Sequence, residues 1–255
     1  KVRATIEKLF FEERCPEKGP GNASNIRAIA EITKLQKAKH KSKTHHLIKG
    51  DYNQHRIQFA FKGPALKDEN APLMDLASFA LSSNESSRLT KNLWRTKNIV
   101  TAISSSCFSP SFPGVFEVSA LTTKENYLEA ISSICEELEK IKSVRPIEEA
   151  DVLRARAAIK VDTLLDRESV ETQAKNAATG CSIGEGANFI DAYNKRIVCG
   201  DSASMSRAFE SYIDWEDYVF VGLLPEDSGI SEADTEAAIK AGVLRVQAQV
   251  KEQEQ

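Results

Sequence analysis

The chain has 255 residues, 41% of them hydrophobic and 28% charged, with a formal net charge of -3. That length allows one large domain or two small ones with a substantial core. The charge balance lacks the basic excess of a general nucleic-acid binder, and no apolar run approaches the roughly 18 residues of a membrane span.

The chain opens KVRATIEKLF, which reads as the middle of an amphipathic helix, and no secretory leader pattern is visible. A piece of a longer protein is therefore expected. Val2 to Phe11 reads as the end of a helix, and Cys15 to Asn22 (CPEKGPGN) as a loop. Ser24 suits the N-cap of a short helix, Asn25 to Gln36. Lys34 to Lys49 is lysine-dense and reads as a solvated linker. Arg56 to Lys62 alternates Ile57, Phe59 and Phe61 on one face, a half-buried strand ended by Gly63-Pro64.

Pro72 suits the first turn of a helix reaching about Ser82. Ser86 or Ser87 caps another, ending near Lys97. Ile99 to Phe108 and Val115 to Leu121 read as an antiparallel strand pair joined by a Pro/Gly loop. A long helix follows, Lys124 to Lys142, with Tyr127, Leu128, Ile131, Ile134, Leu138 and Ile141 as its core stripe. Further helices are predicted over Ile147 to Arg167, Val170 to Ser182, Asn188 to Val198 and Ser202 to Tyr212. Tyr218 to Leu224 is a buried strand. The rest reads as a polar tail with a helical, alanine-rich stretch. Short turns between the middle strands point to an α+β fold, a mainly antiparallel sheet covered by helices. The expected divisions are 1–53 (preceding helix, loop and lysine-rich linker), 54–225 (the folded domain) and 226–255 (linker and tail helix).

Cys15, Cys107, Cys135, Cys181 and Cys199 are odd in number and widely spaced. They read as buried, reduced thiols and favour a reducing compartment such as the cytoplasm, with periplasm or organelle open. His40, His45 and His46 fall in the lysine-rich run, where Lys43 and Lys49 repel cations, and His55 reads as a surface residue at a strand start. No helix offers His at i and i+4. Glu136, Glu137 and Glu139 read as a solvated face opposite the apolar stripe, and Asp75 as turned outward. Nothing marks Ser104, Ser105 or Ser106 as activated. Gly184-Glu185-Gly186 reads as a helix break.

The segment Ala71 to Leu121 runs from an apolar helix through Ser-Ser-Arg-Leu and an amphipathic helix into paired strands. This order resembles the second domain of the pitrilysin or insulinase type of zinc metallopeptidase, which includes the mitochondrial processing peptidases. Phe59 to Pro64, Leu73 to Leu81, Ser87 to Leu89, Leu93 to Ser104, Pro146 to Ala150 and Tyr218 to Pro225 carry the likeness, over roughly Gln54 to Pro225. The family's His-x-x-Glu-His zinc motif is absent. The resemblance thus implies a non-catalytic, substrate-enclosing domain of a zinc-dependent endopeptidase, with no cofactor in this chain. Its implied partners are a peptide substrate and a related domain or subunit that carries the zinc. The alternative is a catalytically inactive structural or assembly subunit of the same fold.

In active members, an arginine and a tyrosine seven residues later hold the substrate carbonyl. At those positions stand Trp94 and Thr101, with Arg95 one place off and Ala102 seven beyond it. Trp94, Arg95 and Thr101 are therefore the degenerate substrate-binding positions. Whether the parent is an active enzyme stays open, but the chain alone is expected to be inactive.

Overall fold

In a computed structural model, residues 43–183 and 185–253 are described, and they fall within one compact unit, Lys41–Gln255. The predicted helices and loop before Lys43, His40 and Gly184 lie outside them. The strands are β1 (Thr44–Gly50), β2 (His55–Gly63), β3 (Ala102–Phe108), β4 (Gly114–Thr122) and β5 (Tyr218–Pro225). The helices are α1 (Ala71–Ser82), a π-helical segment (Thr90–Thr96), α2 (Tyr127–Ser143), α3 (Glu149–Glu168), α4 (Val170–Ser182), α5 (Phe189–Cys199), α6 (Ser202–Tyr212) and α7 (Glu232–Gln253).

The strands form one sheet in the order β1-β5-β2-β4-β3. Among the described residues only the β1–β5 pair is parallel. The α+β, mainly antiparallel class read from the sequence is the observed one. Period-two alternation sorts the side chains. Ile57, Phe59 and Phe61 of β2, Phe116 and Val118 of β4, and Tyr218 and Phe220 of β5 are buried on one face. Helices α1, α2 and α6 pack on that side.

Local sequence sets the helix starts. Pro72 occupies the first turn of α1. The Ser169 hydroxyl accepts from the Thr172 N–H at the start of α4, and the Asp201 carboxylate accepts from the Ser204 N–H at 2.7 Å to open α6. The Thr90–Thr96 segment is wider than an α-helix: the Lys97 N–H reaches back five residues to the Asn92 carbonyl. Asn98, at φ 50, ends it in the left-handed region.

Several expectations need correcting. The lysine-rich linker ends early, because Thr44–Gly50 is an edge strand in register with Val219–Pro225. Lysines suit such an edge, since they discourage further pairing. The tail helix α7 is not a solvated appendage: Ile239 and Val246 are buried, and it packs along α2. The approach is close enough that a Cβ on Gly242 would collide with the Ser132 carbonyl. On α2 the stripe is Ile131, Ile134, Leu138 and Ile141, whereas Leu128 is 37% exposed.

Ile134 is fully buried. Ile134→Ala should cost about 2–5 kcal/mol in denaturant melts, the range for truncating a packed core side chain. Leu128→Ala should cost well under half as much. Equal losses would mean that α2 is turned about its axis, with Leu128 packed as deeply as Ile134.

Candidate functional site

The second face of the sheet carries no described helix. Its residues alternate with the core set: Ile48 on β1, Val219 and Val221 on β5, Gln58 and Ala60 on β2, Glu117 and Ser119 on β4, Ser104, Ser106 and Phe108 on β3. Phe108 is 67% exposed and Ile48 47%. An apolar and polar mixture of this extent, uncovered among the described residues, is a surface for a partner or ligand. Sequence reading placed β2 to β5 but not β1, and their alternation was the available signal for the face. Nothing in the sequence said that no described helix covers it.

The three degenerate positions lie around the π-helical segment and the strand after it. Trp94 packs against the core, and the Arg95 guanidinium lies 4.5 Å from the Trp94 ring centroid while pairing with Glu85. Thr101 is exposed, and its hydroxyl donates to the Leu121 carbonyl at 3.2 Å. The Arg95 guanidinium and the Thr101 hydroxyl thus each have a partner within the chain.

The histidines do not converge. His45 and His46 alternate on β1; His45 Nε2 lies 2.8 Å from the Tyr218 hydroxyl on the core side, while His46 is exposed on the other. Burial lowers the pKa of His45. His55 is buried against the Tyr127 ring rather than on the surface. No group of three His, Cys, Asp or Glu side chains able to hold a metal occurs among the described residues, so the residues present do not fit a catalytic zinc. Cys107, Cys135, Cys181 and Cys199 are free thiols. Cys135 is buried and burial pushes Cys107 up to about 11, whereas Cys181 and Cys199 are exposed, against expectation.

The α2 glutamates are also corrected. Glu137 is buried; Arg88 Nε donates to it at 3.3 Å and Asn92 Nδ2 at 2.8 Å. Glu139 is buried beneath the Trp215 indole, whose Nε1 donates to it at 2.8 Å. Glu136 pairs with Lys140 on the next turn. These contacts hold neighbouring segments onto α2.

Asp75 turns inward as well: its Oδ2 accepts from the Tyr193 hydroxyl of α5 at 2.5 Å. Burial pushes its pKa up to about 6, partly offset by that hydrogen bond.

The mainly antiparallel sheet with helices on one face defines the class, an α+β domain. The chain belongs to the peptidase M16 inactive domain family, whose model matches residues 1–159. A protease from Helicobacter pylori has the same fold, with a TM-score of 0.60 at 19% identity over 70% of this chain and 43% of that one. The peptidase M16 inactive domain from Pseudomonas fluorescens gives 0.62 at 12% identity over 72% and 44%. A chain of complex III2 from Candida albicans gives 0.65 at 16% over 78% and 49%. This chain spans less than half the length of each of these three. No curated protein matches its sequence.

The Asp75 environment predicts a pH effect. Its folded pKa, about 6, exceeds the ordinary 3.8, so the folded state binds this proton more tightly. The contribution therefore favours folding below pH ~4 and is lost as pH rises through ~6, by at most about 3 kcal/mol. Asp75→Asn keeps an acceptor for Tyr193 and should remove this slope. Urea melts of both proteins from pH 4 to 7.5 (roughly the window set by linkage) should show the variant gaining most at the upper end. A constant difference across the range would refute the buried carboxylate.

Proposed function

We propose that this chain is a substrate-enclosing, non-catalytic domain of a zinc-dependent metalloendopeptidase. The uncovered sheet face carries this reading: five strands present alternating apolar and polar groups on which an unfolded peptide can lie, while the opposite face is sealed by helices. The hydrolytic zinc and its general base belong, on this reading, to a related domain or subunit. The outer side of α3 supports such a neighbour. Leu153, Val161, Leu164 and Leu165 are exposed there, opposite the buried Val152, Ala155 and Ile159. Four unpaired thiols among the described residues support a reducing compartment.

A second reading, an inactive assembly subunit, is favoured by the degenerate clamp. Arg95 is held by Glu85 and Trp94, and the Thr101 hydroxyl by Leu121. Arg95 must leave Glu85 before it can reach a substrate carbonyl, and Thr101 lacks the reach of a phenol.

The test uses the full-length parent. Phe108→Glu with Val219→Glu places charge on the uncovered face and should raise KM for unfolded peptides severalfold, with zinc content unchanged. An unchanged KM sinks the wall reading. A parent that carries zinc and cleaves no peptide, or carries no zinc at all, decides for the assembly role. The 255-residue chain alone should bind no stoichiometric zinc in elemental analysis and cleave no peptide.

A further inference from the structure

A small cavity of about 120 Å³ lies where the start of the π-helical segment, the stretch after α2 and the first turns of α3 meet. Four cations line it, Arg88, Lys91, Arg145 and Arg154, against two carboxylates, Glu148 and Asp151. Each carboxylate is taken by an arginine three residues away: Arg145 Nη2 donates to Glu148 at 2.7 Å, and Arg154 to Asp151. Lys91 is exposed and has no carboxylate partner among the described residues. The Arg88 side chain is only 7% exposed. Its Nε is given to Glu137, which Lys140 shares, and its Nη1 to the carbonyls of Arg145 and Pro146. Its Nη2 has no acceptor among the described residues, and that edge of the guanidinium is the one left for the cavity.

A guanidinium this deeply buried, with one amino group unused, calls for an acceptor. The excess of cations around it selects an anion. A water takes about 30 Å³ in the liquid, so the cavity has room for a small oxyanion and none for a nucleotide or a sugar. The donors come from three stretches of chain: Arg88 and Lys91 three residues apart, Arg145 after α2, and Arg154 in α3. Donors spread in this way suit a tetrahedral, doubly charged group better than a flat carboxylate, which two parallel N–H groups of one arginine satisfy. The Arg145–Glu148 pair is exposed and therefore weak, so Arg145 can turn toward a dianion at little cost.

We propose that this cavity binds a phosphate group, as inorganic phosphate or as a phosphomonoester, through Arg88 Nη2, Lys91, Arg145 and Arg154. A phosphate here ties the π-helical segment to the start of α3, adding to the contacts that Arg88 already makes. The inference does not rest on the sheet-face reading, since it involves neither the peptide nor the zinc.

The experiment follows amide chemical shifts of the full chain by NMR during titration with inorganic phosphate, at fixed ionic strength and neutral pH. Phosphoserine and acetate are titrated in parallel. Phosphate should bind with about millimolar affinity, and the shifts should concentrate around Arg88 to Asn92 and Arg145 to Arg154. Acetate should bind about tenfold more weakly. Lys91→Gln and Arg154→Gln should each weaken phosphate about tenfold, the scale of one hydrogen bond to a charged group. Lys175→Gln, which removes an exposed charge on α4, should change nothing. Arg88 is left intact because it also holds Glu137. Phosphoserine binding as tightly as phosphate assigns the site to a phosphate carried on a larger molecule, and much weaker binding assigns it to the free ion. The site is overturned if acetate matches phosphate, if all three variants lose affinity equally, or if Lys91→Gln and Arg154→Gln lose none. Shifts spread over other lysines, or no saturable shifts, overturn it too. Unchanged melting curves establish that the variants are folded.

Discussion

Phe59 on the central strand stacks with Phe61 and meets Tyr218, Phe220 and Trp215 at centroid distances of 5.0–6.3 Å. This aromatic cluster decides which side of the sheet is core. Each such pair adds about 0.5–1.5 kcal/mol beyond its buried area, and strand geometry does the rest. With Phe59 and Phe61 inside, Gln58 and Ala60 must lie outside, and the register carries Glu117 and Ser106 with them. A slip of one residue would bury Glu117 and expose the phenylalanines. The composition of the open face is therefore fixed by packing on the other side, although that packing does not require a carboxylate there.

Helix α2 joins the sheet to the rest of the domain through two kinds of contact. Its apolar stripe meets the core, and its buried glutamates hold Arg88, Asn92 and Trp215. A buried ion pair contributes little net stability but is costly to break, because one charge is left without its partner. Arg88 also donates to the carbonyls of Arg145 and Pro146, so the stretch between α2 and α3 depends on the same side chain. This network orients the π-helical segment relative to the sheet.

The strands and helices from His55 to Pro225 were legible because each is long and periodic. Three features were hidden, for identifiable reasons. β1 has no apolar alternation of its own; its partner is β5, 173 residues away between His45 and Tyr218, and no local pattern encodes such a pairing. Glu139 looks solvated until Trp215 arrives over it, and Glu137 until Arg88 and Asn92 do. Asp75 looks outward on its own helix until Tyr193 of α5 supplies a donor. In all three cases tertiary contact reverses what the local pattern says. The hydrogen-bonded set of Ser106, Glu117 and Gln58 was hidden in another way: its members lie on different strands and meet only through register.

The segment Thr90–Thr96 bears on how the clamp positions are compared with the family. A turn closed by an i to i+5 bond contains one residue more than a turn closed at i+4. The Lys97 to Asn92 bond is of this kind. An offset of one place, such as that between Arg95 and the arginine position of active members, is what such a turn can absorb. Geometry alone would therefore permit Arg95 to stand in for that arginine, despite the roughly 100° rotation that one residue imposes on an ordinary helix. What opposes it is occupancy: the guanidinium already faces Glu85 and the Trp94 ring. A surface ion pair is weak, at most about 1 kcal/mol, so a bound carbonyl could draw Arg95 away at modest cost. Thr101 cannot follow, since its hydroxyl sits close to the backbone and bonds Leu121, and no rotation gives it the reach of a phenol. Half of the clamp is recoverable and half is not. A single donor can orient a peptide but cannot reproduce a two-point hold, as expected of a non-catalytic domain.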